Sequence, residues 1–218
     1  MTADPTLDLP LGRLPLFPLP KAVLFPDQRL ALHIFEPRYR QMVRDAIDGH
    51  PYLVITMIDG DPDAEPSRFM PIATIGRIVT HHRLADGRYN IVVHGVSRAR
   101  VDEIDSTRLY RQVRADVLPE PDVHEQPVPV RERMAMMSAV TAVSTAHRRL
   151  DARFELAAPP FSDLARVAFH VGERLVHDGM SRQSILEAAT TLARVRATTA
   201  ALASVLSELS TVPRGASS

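Results

Sequence analysis

The side chains able to do chemistry are few in kind. The chain holds 26 basic residues, of which only Lys21 is a lysine, and no cysteine. Thiol catalysis, disulfides, Cys-ligated zinc and iron–sulfur clusters are therefore excluded. A Walker-type ATPase needs a lysine directly before Ser or Thr in a glycine-rich loop. Lys21 instead lies in Leu19-Pro20-Lys21-Ala22-Val23. A Ser-Lys hydrolase would need this same lysine as its base, in a proline-flanked segment with no helix around it. No serine stands in a Gly-x-Ser-x-Gly elbow. Among nine histidines, His81 and His82 are adjacent on an expected strand and point to opposite faces. His170 and His177 are too far apart on one helix to share a metal, and His147 reads as a core or interface residue. Asp59, Asp61, Asp63 and Glu65 alternate, but prolines interrupt them and the glycine of a calcium loop is misplaced. The reading is of a non-catalytic chain with no cofactor and no metal.

The elements that carry these residues fall into two halves. Residues 10–118 are rich in Pro, Val, Ile and short alternating runs. The stretch Leu14–Pro20 is too proline-rich for a central strand and suits an edge. Arg29–Ile34 reads as a strand. Pro37 suits the first turn of a helix over 37–48, with Tyr39, Met42, Val43, Ala46 and Ile47 on its apolar face and Gly49 as its stop. Tyr52–Ile58, Ile72–Leu84, Arg88–His94, Val96–Ile104 and Tyr110–Leu118 read as strands. Asp59–Arg68 is an acidic loop, and Asp86-Gly87 marks a tight hairpin. Residues 119–130, with four prolines, read as a linker. Residues 131–210 read as helices. Leu164, Val167, Ala168, Val171 and Leu175 form one face. Ser181 is expected to cap a last helix roughly 40 Å long, with a seven-residue seam through Ile185, Ala188, Leu192, Val195, Thr199, Leu202, Leu206 and Leu209. Residues 1–9 and 211–218 are expected to be flexible.

Acidic and basic residues balance at 26 each, so nothing global points to nucleic acid or an anionic membrane. The polar N-terminus lacks the features of a signal peptide, and no run nears the ~20 apolar residues of a membrane span. A cytoplasmic protein is the expectation.

Residues 14–42, LPLFPLPKAVLFPDQRLALHIFEPRYRQM, resemble the opening signature of the Lon amino-terminal domain family. The matching pieces are Leu14–Pro18, Val23–Pro26 and His33–Tyr39. They are followed in order by Ile75-Gly76-Arg77-Ile78, Asp86-Gly87-Arg88-Tyr89-Asn90, and His94-Gly95-Val96 with Arg98 and Arg100. The resemblance covers residues 10–118 and extends loosely over Ser181–Glu187. It implies an α+β fold: a PUA-like pseudo-barrel of about six strands with one inserted helix, then a C-terminal helical bundle. It also implies recognition of protein substrates. Since the chain ends at Ser218, it resembles the short, stand-alone members without motor or protease.

Read from the residues first, the motif is architecture. Gly76, Gly87 and Gly95 serve backbone geometry, Phe35 and Tyr39 fill the core, Glu36 supports the helix start and Arg38 pairs with a carboxylate or carbonyl. As a contact surface the candidates are Phe35, Arg38, Tyr39, His94 and Arg98. The expected partners are unfolded or client proteins and peptides, with a protease or chaperone beside them, and further copies of the chain through the long last helix. The expected place is a groove between the halves or an exposed sheet edge. The alternatives are an RNA-binding PUA-like domain, against which the balanced charge argues, and a cryptic hydrolase.

Overall fold

The computed structural model of the chain describes residues 9, 11–61, 63–64, 66–120, 127–157 and 163–211. Two compact units divide it, Met1–Pro119 and Glu120–Ser218. Residues 1–8 and 212–218 of the expected flexible ends, and 121–126 of the expected linker, lie outside the described residues.

The first unit contains β1 (Leu14–Leu19), β2 (Arg29–Ile34), α1 (Pro37–Asp48), β3 (Tyr52–Asp59), β4 (Arg68–Phe69), β5 (Ile72–Arg83), β6 (Tyr89–Ile104) and β7 (Gln112–Val117). Its strands form a seven-stranded sheet in the order β1-β7-β6-β5-β3-β4, with β2 paired to β6 off that path and β1 also paired to β3. This corrects the expected six-stranded PUA-like pseudo-barrel. A barrel has no edge strands, whereas among the described residues β4 pairs only with β3 and β2 only with β6. Two local features produce the difference. Arg68–Phe69, expected to close a loop, pairs with Ile58 and Asp59. The two strands expected over 88–104 are one 16-residue strand, long enough to hold β2 along its first half, β7 along its second and β5 along most of its length.

The proline-rich β1 is not at an edge. Leu14 and Pro15 pair with β7, and Leu16–Leu19 run parallel to β3. Splitting its partners between its two ends lets the strand tolerate Pro15 and Pro18, which lack a backbone donor. Lys21 follows in an exposed turn with φ 57°.

Successive strand side chains face opposite sides, and both sides of this sheet are apolar. Leu53 and Ile55 join a cluster that includes Ile34, Tyr39, Met42, Val43 and Ile91. Val54 joins a second cluster with Leu14, Leu16, Ile75, Ala99 and Val101. Helix α1 covers the first through the face read from its periodicity.

Gly95 lies where the turn before β2 crosses β6. Gln28 O accepts from Gly95 N and Gly95 O from Asp27 N, both at 2.9 Å. A Cβ there would stand 2.2 Å from the Phe25 carbonyl oxygen. Gly87 has φ +82° in the β5–β6 turn, above the Arg40 guanidinium, as an Asp-Gly hairpin requires.

The second unit contains α2 (Val130–Leu150), α3 (Leu164–Leu175), α4 (Gly179–Glu187) and α5 (Thr191–Thr211). The single long last helix expected from the heptad seam is two helices. Asp178, not Ser181, caps the first, its carboxylate accepting from Ser181 N at 2.7 Å. Thr190 restarts the second by accepting from Ala193 N at 3.1 Å, the local competition by which Thr ends one helix and caps another. The buried stripe of α5 includes Arg194, Val195, Thr198, Ala201, Leu202 and Val205, so only part of the expected seam faces inward. Arg194 is fully buried. It donates to Glu120 Oε2 at 2.8 Å and lies 3.9 Å from the Phe169 ring centre.

Candidate functional site

The conformation of the 33–39 segment follows from strand alternation meeting a helix start. Strand β2 buries Ile34 and turns His33 outward, so the next outward position is Phe35, 61% exposed. Its ring stacks on His33, with centres 6.3 Å apart. The expectation that Phe35 fills the core is corrected; Tyr39 does fill it, one helical turn later. The Tyr39 ring sits 4.4 Å from that of Phe17, and the Arg38 guanidinium lies 4.8 Å from the ring centre.

Glu36 is the N-cap residue of α1 but makes no side-chain cap. Its carboxylate is instead held by Arg38 Nε at 2.9 Å. Pro37, at the first helical position, has no amide proton to satisfy.

Beside this segment lies a cavity of about 370 Å³. Phe17 and Leu19 of β1, Leu32 and Ile34 of β2, and Ile58 of β3 supply apolar walls; Glu36 and Arg38 supply a charged rim. An apolar cleft with a few polar groups at its mouth is the usual form of a binding pocket. It adjoins the outer edge of β2, whose only strand partner among the described residues is β6.

The sequence-derived candidates thus separate. Phe35, Arg38 and Tyr39 meet at this cavity. His94 lies at the other end of β2, opposite Arg29, with its Nδ1 buried and lacking a hydrogen-bond partner. Arg98 is a buried residue of β6 that donates to the Pro119 carbonyl oxygen at 3.2 Å. The wall residues Phe17, Leu32 and Ile58 carry no chemical signature, and only the pairing of β1, β2 and β3 around one space identifies them.

A larger cavity of about 700 Å³ opens at the C-terminal end of α1, lined by Arg13, Asp45, Asp105, Arg108, Tyr110 and neighbours. Its polar groups are matched to one another. The Tyr110 hydroxyl donates to Asp45 Oδ2 at 3.0 Å, Arg108 reaches the same oxygen at 3.2 Å, and Arg13 donates to Asp105 O and Gln112 Oε1. Burial, and then the Asp45 carboxylate, push the Tyr110 phenol up to about 12. Such mutual pairing fastens the 105–111 loop to α1. Among the described residues no group of three or more His, Asp or Glu side chains could hold a metal, and no helix is long and apolar enough to cross a membrane.

Known proteins resemble this chain in sequence and in fold. Residues 13–204 match the model of the ATP-dependent protease La (Lon) substrate-binding domain. "Lon protease 2" of Sorangium cellulosum is 27% identical over 207 residues, which are 89% of this chain and 25% of that protein. The chain spans a quarter or less of the length of the curated relatives it matches. A Lon N-terminal domain protein from Xanthomonas campestris superposes with TM-score 0.62 at 20% identity, over 87% of this chain and 98% of that one. The N-terminal domain of the Mycobacterium avium complex Lon protease superposes with TM-score 0.66 at 15% identity, over 88% and 98%. The chain belongs to the Lon substrate-binding domain family. The match covers most of the chain and is to that one domain of the protease.

Proposed function

We propose that the chain captures extended, apolar segments of unfolded client proteins at the cavity beside Phe35, and that it serves a Lon-type protease system. The observation that carries this reading is a large aromatic side chain left 61% exposed at the mouth of an apolar cavity, next to a strand edge with no partner among the described residues. Exposed aromatics at a cleft are where binding energy concentrates, and extended peptides are taken up at sheet edges. Arg38 and Glu36 form the polar rim, and Tyr39 backs the cavity wall.

Titration of labelled unfolded polypeptide against the protein tests this by anisotropy. Phe35→Ala removes an exposed ring, so its folding stability should stay within about 0.5 kcal/mol of the parent. Its peptide affinity should fall by about tenfold, the value of one moderately strong contact residue. Absence of peptide binding by the parent protein, or unchanged binding by Phe35→Ala, overturns the proposal.

A further inference from the structure

We infer that the outer edge of β2 takes up an acidic extended segment as an additional strand, one that carries carboxylates four residues apart with apolar side chains between them. This rests on the peptide-binding reading above and specifies the class of segment bound.

Strand β2 presents two different faces to an incoming neighbour. Leu30, Leu32 and Ile34 point toward the apolar cluster and the cavity, whereas Arg29, Ala31 and His33 are exposed on the other face. On that exposed face the register builds rows across three strands. Arg29 is opposite His94, which is opposite Arg77; His33 is opposite Asn90, which is opposite His82. Between them Ala31 is opposite Val92, itself opposite Thr80.

These rows contain no negative charge. Arg29–Ile34, Ile72–Arg83 and Tyr89–Arg100 hold neither Asp nor Glu. Of the carboxylates nearby, Asp86 and Glu36 are held by Arg88 and Arg38, and Asp63 lines the cavity rather than the exposed face of these rows. Arg88 also extends to His33, with its Nη1 3.1 Å from the ring Nε2, while His33 Nδ1 is 2.7 Å from Asn90 Oδ1. A guanidinium can only donate, so Nε2 accepts and Nδ1–H donates. The positive charge beside His33 is therefore that of Arg88.

Edge strands are commonly protected by charge, and a cationic edge disfavours pairing with a second copy of itself. It favours a strand of opposite sign, since cross-strand pairs of opposite charge stabilise and like pairs destabilise. Side chains on one face of a strand recur every second residue. A strand laid on β2 would therefore meet Arg29 and His33 with residues i and i+4, Ala31 with i+2, and Leu30 and Leu32 with i+1 and i+3. The matching pattern is acidic, apolar, small, apolar, acidic. It reads the same in both directions, so it suits either strand polarity.

The test uses labelled peptides with the core Glu-Val-Ser-Val-Glu, its Gln-Val-Ser-Val-Gln counterpart, and two backbone N-methylated forms that block alternate amides. The Glu peptide should bind about threefold more tightly than the Gln peptide at low salt, as an exposed ion pair to Arg29 allows. That gap should close at high salt and disappear in Arg29→Glu. One N-methylated form should lose binding while the other keeps it, because alternate amides face the edge. Equal binding of the Glu and Gln peptides overturns this inference and leaves the peptide-binding reading intact. Retention of binding by both N-methylated forms overturns the strand-addition geometry. A single-stranded oligonucleotide that displaces the Glu peptide, and itself loses affinity in Arg29→Glu, reassigns the face to nucleic acid. Failure of both peptides to bind removes the reading on which the inference rests.

Discussion

Replacement of Gly95 by alanine tests how the turn before β2 is held. The added Cβ would lie 2.2 Å from the Phe25 carbonyl oxygen and 2.9 Å from its carbon. Both are backbone atoms, so no side-chain rotation relieves the overlap. The 25–28 turn must move by about 1 Å to restore an ordinary contact of about 3.3 Å or more. That movement breaks the two 2.9 Å hydrogen bonds joining Gly95 to Asp27 and Gln28. Two lost backbone hydrogen bonds cost about 1–3 kcal/mol together, and the overpacking that remains adds about 1–3 kcal/mol. The expected destabilisation is therefore about 2–6 kcal/mol. All four tyrosines, Tyr39, Tyr52, Tyr89 and Tyr110, lie in the first unit, and the chain has no tryptophan. Tyrosine fluorescence during urea unfolding thus reports this unit alone. Gly12→Ala is the control, since nothing lies within 4 Å of a Cβ at that position. A Gly95→Ala protein within about 1 kcal/mol of the parent would refute the argument that this glycine is required by close backbone approach.

Two further substitutions probe other buried polar contacts. Arg194→Ala removes a fully buried guanidinium that joins Glu120 to the Phe169 ring. It should destabilise the helical unit by about 3 kcal/mol, seen as an earlier loss of helical circular dichroism with the tyrosine transition unchanged; Arg194→Met, which refills the volume, should recover part of the loss. Tyr110→Phe removes the hydrogen bond to Asp45 and should cost about 1 kcal/mol at neutral pH. Because the folded-state phenol is raised from 10.0 to about 12, this contribution is fully present below pH 10 and is lost as pH rises through about 12. Urea midpoints of parent and variant at stepped pH should therefore converge over that interval, and a constant difference through pH 12 contradicts the assigned contact.

Local signals carried much of the first unit. Pro37 and the spacing of Tyr39, Met42, Val43 and Ala46 define α1 over the residues observed, because a helix start and an apolar face are both written within a few residues. Asp86-Gly87 marks its hairpin for the same reason. Pairing is different in kind. The sequence of β1 cannot state that its first two residues meet β7 and its last four meet β3, so its prolines suggested an edge. Nor can a 16-residue run announce three partners, which is why one strand looked like two. At the candidate site, Phe35 and Tyr39 were visible as motif residues, but their burial was reversed for Phe35, since the parity of β2 decides which side it faces. Arg194 and Thr190 were passed over because an arginine in an alanine-rich helix and a threonine in the run Ala188-Ala189-Thr190-Thr191 look like surface positions. Both act through contacts defined only after the helices pack.

Strand β6 has a consequence for how the first unit comes apart. Tyr89, Ile91 and Val93 belong to one apolar cluster, and Ala99 and Val101, beyond Gly95 on the same strand, belong to the other. The two clusters therefore share this strand as a covalent spine, itself hydrogen-bonded on both sides. Neither can melt while the other keeps its native packing. The unit should lose its structure in one cooperative step, with the amide protons in the middle of β6 the last to exchange with solvent.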